Sequence, residues 1–318
     1  MIGLAYHYLS NTCNLYKGIH PLDWYTFERQ IDKLKKNSAT LTFDENINFY
    51  LNEKNDFAQK KYLLTFDDGL KEHLKAAEIL SQKGIKAIFA IIGCATFRNK
   101  MPLVHKLHWL RSNIEINILK NKLEEIKDIN FLIDENTKKK AQAMHIHDDL
   151  DTAILKYNLN FLIDYSKLDY ATSKLINLYS KSEKELCKKY FLNIDEIKKI
   201  DKLGHIIAWH TDKHLPMSKL SKKELKEDLD FGYEFLKKIN SKSEKHLCYP
   251  YGRIDALPLK NLDYVLSSKF KYAWTLEKFD KKYFKPKYNN FLLQRITTNE
   301  LFKNDTQLIS KSLYLDIK

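Results

Sequence analysis

One stretch restricts what this chain can fold into more than any other: Tyr62-Leu63-Leu64-Thr65-Phe66-Asp67-Asp68-Gly69. A short apolar run ended by a turn residue reads as a buried strand, and this one delivers two adjacent carboxylates to its own end. Burying one ionised carboxylate is costly and two side by side repel, so a cation, a proton or water has to compensate them. A metal ion is the first compensator to look for. Asp-Asp-Gly also suits a solvated turn leaving a strand, and the fragment alone does not separate the two readings.

The flanking residues place that strand end. Leu70 to Lys83 has helical period, with Leu74, Ala77 and Leu80 on one face and Gly84 as its stop. Ile85 to Ile92 is nearly all apolar, as expected of a strand buried on both faces. Strand, helix, strand in succession is a βαβ unit with parallel pairing, and parallel sheets and barrels bind ligands at their C-terminal strand ends. Asp67 and Asp68 lie at such an end. Upstream, residues 2–8 read as a first strand with His7 near its C-terminal end, followed by a polar connection through Asn11, Asn14 and Gly18. A helix opening at Pro21-Leu22-Asp23-Trp24 carries Phe27, Ile31 and Leu34 on one face, and a short strand is expected over 39–43.

From about Arg98 to Lys202 the chain is rich in Lys, Asn, Leu and Ile, helical in period and almost free of glycine, which predicts a helical insertion over 98–202. Its Met144-His145-Ile146-His147-Asp148-Asp149 segment reads as solvated, because HxH spacing on a helix points the two imidazoles to different faces. The apolar strand Gly204–Trp209 then runs into His210-Thr211-Asp212-Lys213-His214. Histidines at i and i+4 share one face of a helical turn and can hold one ion between them. With 11 histidines in the chain such spacing arises by chance, but here it follows a buried strand, as the Asp pair does. One carboxylate and two imidazoles hold a divalent ion with positions left open, and the second carboxylate is then free to act as a base. Further on, Ser221 and Glu224 form a capping box for a helix carrying Leu225, Leu229 and Phe235. The strand His246–Tyr249 ends at Pro250-Tyr251-Gly252-Arg253, which suits a turn and also suits presenting a backbone N–H and an aromatic wall to a substrate. Leu257–Leu266 reads as a helix, Tyr272–Leu276 as a strand, and a last strand over Phe291–Ile296 brings Arg295 into the series.

Composition limits the classes that remain. At 44% hydrophobic and 13% aromatic the chain is too apolar for disorder, and 8 glycines and 6 prolines leave little for linkers. No window approaches the length of a membrane span. The N-terminal Met1–Tyr8 segment has no basic leader, so we expect no export and a cytoplasmic protein. Cys13, Cys94, Cys187 and Cys248 form no CxxC pair and fit reduced thiols. The charge of +13 is nearly all lysine, without a nucleic-acid motif, so nucleic acid is a poor candidate partner, while peripheral contact with an anionic membrane fits.

With Thr65-Phe66-Asp67-Asp68-Gly69, His210-Thr211-Asp212-Lys213-His214 and Tyr249-Pro250-Tyr251-Gly252 in this order, the sequence resembles the polysaccharide deacetylases, the NodB-homology or carbohydrate esterase family 4 enzymes. Tyr6-His7 and the Leu220–Leu225 helix entry add to the resemblance, which covers roughly 2–97 and 203–296 but not the insertion. It implies an α/β fold, a distorted (β/α) barrel of the NodB type with a helical insertion between two barrel strands. The expected division is a barrel over 1–97 and 203–300, the insertion over 98–202 and a C-terminal extension over 301–318. By the same resemblance Asp68, His210 and His214 hold one divalent metal ion, zinc first among them. Asp67 is the general base, and the backbone N–H of Tyr251 faces the oxyanion.

Two departures stand out. Where relatives often carry an arginine two residues before the third motif's proline, this chain has Cys248, and where many carry a late histidine as acid it has Arg295. An arginine does not give up its proton near neutral pH, so Arg295 contacts either the base carboxylate or a substrate phosphate. His7 is then the candidate acid for the leaving amine, with Asp67 returning its proton as the second candidate; a structural role for His7 fits its position equally. The implied activity is removal of an N-acyl group, acetyl or formyl, from an amino sugar of a polysaccharide or of its nucleotide- or lipid-linked precursor. A barrel that has lost catalysis and binds carbohydrate is the alternative.

Overall fold

The computed structural model describes residues 2–10, 21–37, 62–126, 129–144, 148–180, 182–239, 245–277, 285–304 and 307–308. The strand expected over 39–43, the connection holding Asn11, Asn14 and Gly18, and both His145 and His147 lie outside these residues.

Seven parallel strands form the main sheet: β1 (Ile2–Tyr6), β2 (Tyr62–Phe66), β3 (Ala87–Ile91), β4 (Ile206–Trp209), β5 (His246–Cys248), β6 (Tyr272–Trp274) and β7 (Arg295–Thr297), in the order β6-β5-β4-β3-β2-β1-β7. The edges nearly meet. Leu293 donates its N–H to the Ala273 carbonyl at 3.0 Å and accepts from the Thr275 N–H at 2.7 Å, so the segment entering β7 bonds to β6 while β7 itself pairs with β1. The result is a distorted, nearly closed (β/α) barrel, as expected.

Strand side chains alternate between the barrel interior and the helical layer. Leu63, Ile88, Ala90, Ala208, Cys248, Tyr272, Trp274 and Leu293 form the interior cluster. Period two therefore carries Thr65 and Asp67 of the β2 series, and Arg295 of β7, onto that same interior face. The outer face is aromatic: Tyr6, Phe66 and Phe89 stack across β1, β2 and β3 at centroid spacings of 5.1 and 4.7 Å. Burying each of these rings contributes about 1.5–3 kcal/mol, and a one-residue slip would turn all three inward, so the ladder fixes the register that aligns the strand ends.

The expected elements recur with trimmed ends. Helices run over Trp24–Asn37 and His73–Gln82, and Lys222–Ile239 follows the capping box, in which Ser221 N–H donates to Glu224 Oε2 at 2.9 Å. The helix read over 257–266 is a 3-10 turn, Leu259–Asn261, leading into a helix over Leu262–Ser267, and Pro286–Phe291 is a 3-10 turn before β7.

The described residues divide into two compact units, one drawn from Met1–Asn11, Pro21–Arg98 and Lys188–Lys318, the other from Asn99–Cys187. Residues 188–202, read from the sequence as the end of the insertion, thus pack with the barrel strands. Leu192 donates to the Gly69 carbonyl and Lys71 to that of Tyr190, both at 2.9 Å, and Ile197 and Ile200 enter the barrel's helical layer. Helical period does not break at Lys188, which hid this boundary. The second unit is helical, with Leu110, Leu119, Leu123, Ala141, Ala153, Leu168 and Ile176 buried, and the buried Lys106 ammonium donates to Asp169 and Ser173 at 2.7 Å each. Of the expected extension over 301–318, Phe302–Asn304 pairs antiparallel with Gln307–Leu308. Among the described residues no helix is long and apolar enough to cross a membrane.

Candidate active site

The two carboxylates leave β2 in different directions because the backbone turns between them. Asp67 continues the strand, its N–H donating to the Tyr6 carbonyl at 3.0 Å. Asp68 then takes φ 79° and Gly69 φ 64°, the left-handed region, so the Asp68 side chain leaves the strand's alternation. Both carboxylates are buried, at 2% and 5% exposure, which excludes the solvated turn.

At the end of β4, His210 N–H donates to the Ile91 carbonyl at 2.9 Å and its Nδ1 lies 2.8 Å from the Cys248 carbonyl oxygen. A carbonyl only accepts, so Nδ1 carries the proton and Nε2 presents a lone pair in the neutral ring. That Nε2 lies 3.4 Å from Asp68 Oδ1, and Nε2 of His214 lies 3.3 Å from the same oxygen. The i, i+4 spacing is not read by a helix as expected. Residues 210–214 form a loop in which Thr211 (φ 61°) and His214 (φ 55°) are left-handed, and that path brings the rings to 4.8 Å.

The donor atoms of Asp68, His210 and His214 all lie within 4.8 Å of one another, and all three residues are buried. In a tetrahedral shell with bonds of about 2.1 Å the ligand atoms sit about 3.4 Å apart, so the two measured separations fit a zinc-sized ion. An imidazole lone pair aimed at a carboxylate oxygen calls for a cation between them, a metal or a proton. Burial disfavours a charged His210, yet the Asp67 and Asp68 carboxylates outweigh it and raise its pKa.

Asp67 stands apart from that cluster in its partners. Arg295 Nη1 donates to Asp67 Oδ1 at 2.7 Å and to Thr65 Oγ1 at 2.9 Å, while its Nε donates to the Thr275 carbonyl at 2.8 Å. The guanidinium is wholly buried, so of the two contacts open to it from sequence the geometry takes the carboxylate and not a substrate phosphate. Burial would push the Asp67 carboxyl up. Arg295 first, then His210 and His7, outweigh it and hold it down to about 2. His7 Nε2 lies 4.0 Å from Asp67 Oδ2 on a ring about one third exposed, so it faces both the base and the mouth. The Tyr251 ring packs 5.0 Å from that of His214. Tyr251 and Gly252 are both left-handed at φ 61°, and a Cβ on Gly252 would stand 2.3 Å from the Leu276 nitrogen, which explains the glycine of this turn.

Two supporting residues escaped the sequence reading. Asp228 accepts from Trp209 Nε1 at 2.7 Å through Oδ1 and from the Asp212 N–H at 2.8 Å through Oδ2, tying the helix to the histidine loop. Its signal was an acid on the apolar face shared by Leu225, Leu229 and Gly232. His73 Nε2 lies 2.9 Å from the His7 carbonyl oxygen, to which it donates, while its ring packs edgewise on Phe66. Burial lowers its pKa to about 4, so it is neutral, and its signal was a histidine in the stripe of Ala76, Ala77 and Leu80.

Comparison with known proteins bears on the fold and the family. Two solved structures share the fold. The deacetylase PplD of Streptococcus pyogenes, solved with acetate, matches at TM-score 0.53 and 15% identity over 93% of this chain and 91% of that one. IcaB from Ammonifex degensii matches at TM-score 0.50 and 14% identity, again over 93% and 91%. No curated protein sequence matches significantly. The polysaccharide deacetylase family profile matches residues 54–265, a span that holds Asp67, Asp68, His210, His214 and Tyr251, and the chain therefore belongs to the polysaccharide deacetylase family.

Proposed function

We propose that this protein is a metal-dependent N-deacylase that frees the amine of an N-acetylated, or N-formylated, amino sugar. One observation carries the reading: a three-donor cluster, Asp68, His210 and His214, stands beside a second carboxylate, Asp67, that a buried arginine keeps ionised. A binding barrel has no use for that second carboxylate.

Asp68, His210 and His214 would hold the ion, with zinc the first choice for two nitrogens and one oxygen. When bound, it supplies a Lewis acid that polarises the acyl carbonyl and acidifies water. Asp67 accepts the proton of the attacking water, and Arg295 holds that carboxylate in place and ionised. Attack at the acyl carbon gives a tetrahedral oxyanion, faced by the backbone N–H of Tyr251. As the carbon–nitrogen bond breaks, the amine needs a proton, and His7, 4.0 Å from Asp67, supplies it. Products are a free amine on the sugar and a small carboxylate.

We place the substrate on the cytoplasmic side, as a nucleotide-linked or lipid-linked precursor or a nascent surface polysaccharide. The lysine-rich charge of +13 suits pyrophosphate or an anionic membrane surface. Acetate and formate release from a panel of such N-acyl sugars tests the substrate. Bound-metal analysis tests the roles: Asp68→Ala should lose metal, whereas Asp67→Asn and His7→Gln should keep it and lose turnover. Equal metal loss in Asp67→Asn and Asp68→Ala, or unchanged kinetics in His7→Gln, would refute the corresponding assignment.

A further inference from the structure

We infer that Gly3, inside β1, is a positioning residue for the acid–base centre: its bare backbone is the passage by which Arg295 crosses from β7 to Asp67. A glycine within a strand weakens it and needs a reason. Backbone conformation is not that reason, since the left-handed glycines among the described residues are Gly69, Gly84, Gly204 and Gly252.

Close approach is the reason. β1 lies between β2 and β7, with Gly3 opposite Leu63 on one side and Arg295 on the other. The β2 strand that carries Thr65 and leads into Asp67 is thus two strand spacings from β7, about 9.6 Å along the sheet. An arginine covers that span only by lying across the strand between them. A Cβ built on Gly3 would stand 2.5 Å from Arg295 Cγ, 3.2 Å from Arg295 Cβ and 3.2 Å from the Gln294 carbonyl oxygen. The struck atom belongs to the stem, whose head is fully buried and fixed on Thr275, Thr65 and Asp67. The stem therefore has no slack, and any side chain at position 3 displaces the guanidinium.

The kinetic part of this inference rests on the deacylase reading, whereas the steric part does not. The test is a double-mutant cycle of Gly3→Ala and Arg295→Ala, read by kcat, KM, bound metal and melting temperature. Gly3→Ala alone should lower kcat about 100-fold, the scale of a 1 Å misplacement. KM should stay within two-fold, metal content should not change, and the melting temperature should fall. In the Arg295→Ala background, Gly3→Ala should cost much less of both kcat and melting temperature, because Cγ is gone and only the 3.2 Å contacts with Cβ and the Gln294 carbonyl remain. Equal losses in both backgrounds would show that Gly3 serves only its own strand and would overturn the inference. If Gly3→Ala does not fold, a double variant that does fold shows the same coupling, and one that does not fold while Arg295→Ala alone does overturns it. Should no N-acyl sugar be a substrate, the melting-temperature cycle still decides the steric claim.

Discussion

Replacing Arg295 by methionine keeps the buried stem and removes the charge, so it isolates what the guanidinium does for Asp67. Both side chains are almost wholly out of water, at 0% and 2% exposure, and Nη1 of the arginine serves both Asp67 and Thr65. Removing one partner of a buried pair leaves the other charge uncompensated, at a cost of about 3–5 kcal/mol. The pH dependence identifies the cause. With Arg295 present the Asp67 carboxyl is held down to about 2 against burial. Relative to an unfolded value of about 3.9, that contributes about 2–3 kcal/mol, fully present above the unfolded value and lost as pH falls through the folded one. Without Arg295 the carboxyl moves upward, and protonation at mildly acidic pH relieves part of the penalty. Urea unfolding of the chelated protein should therefore show a deficit of about 3–5 kcal/mol at pH 7.5 and a smaller one at pH 4.5. Turnover should fall about 100-fold with metal retained. A deficit under about 1 kcal/mol at both pH values would refute the claim that Arg295 compensates this carboxylate.

Three further outcomes follow from residues around the site. Gly252→Ala should destabilise by more than about 2 kcal/mol in urea, since φ 61° and the Leu276 backbone both oppose a Cβ. Asp228→Asn should turn an NH2 group toward one of two donors, the Trp209 indole or the Asp212 amide, and weaken metal affinity about ten-fold in a competition titration. Burial, with Asp68 adding to it, pushes the Glu72 carboxyl up to about 7. Its contribution to stability is thus fully present below its unfolded value and lost as pH rises through about 7. Glu72→Gln should accordingly gain stability relative to wild type between pH 4.5 and pH 8 in chelated protein, and a flat difference would refute the shift.

Much of the site was legible because it hangs on strong local signals. The β2 run and its Asp67-Asp68-Gly69 ending announce a buried strand end in eight letters, and His210 and His214 repeat the same logic after β4. Their meeting point was read correctly through the wrong geometry, since a left-handed loop rather than a helical turn joins them. The strands of three residues, β5 to β7, were read too long, because apolar residues on either side continue into turns that only barrel closure defines. Asp228 and His73 went unread as site residues because each occupies a core position of its helix and acts on backbone supplied by another segment. Arg295 was legible as a departure from its relatives, but its choice between carboxylate and substrate depended on the neighbouring strand, at Gly3.

The order of these strands also sets an order of assembly. By residue 214 a growing chain contains Asp68, His210 and His214, every donor of the metal cluster. The compensation of Asp67 comes from Arg295, 228 residues further along, on a strand that docks only when the sheet closes between β1 and β6. Such distant pairing forms late, because its loop-closure entropy is spent before any contact repays it. On the proposed reading, the three candidate ligands are thus synthesised well before Arg295, the residue that compensates the candidate base.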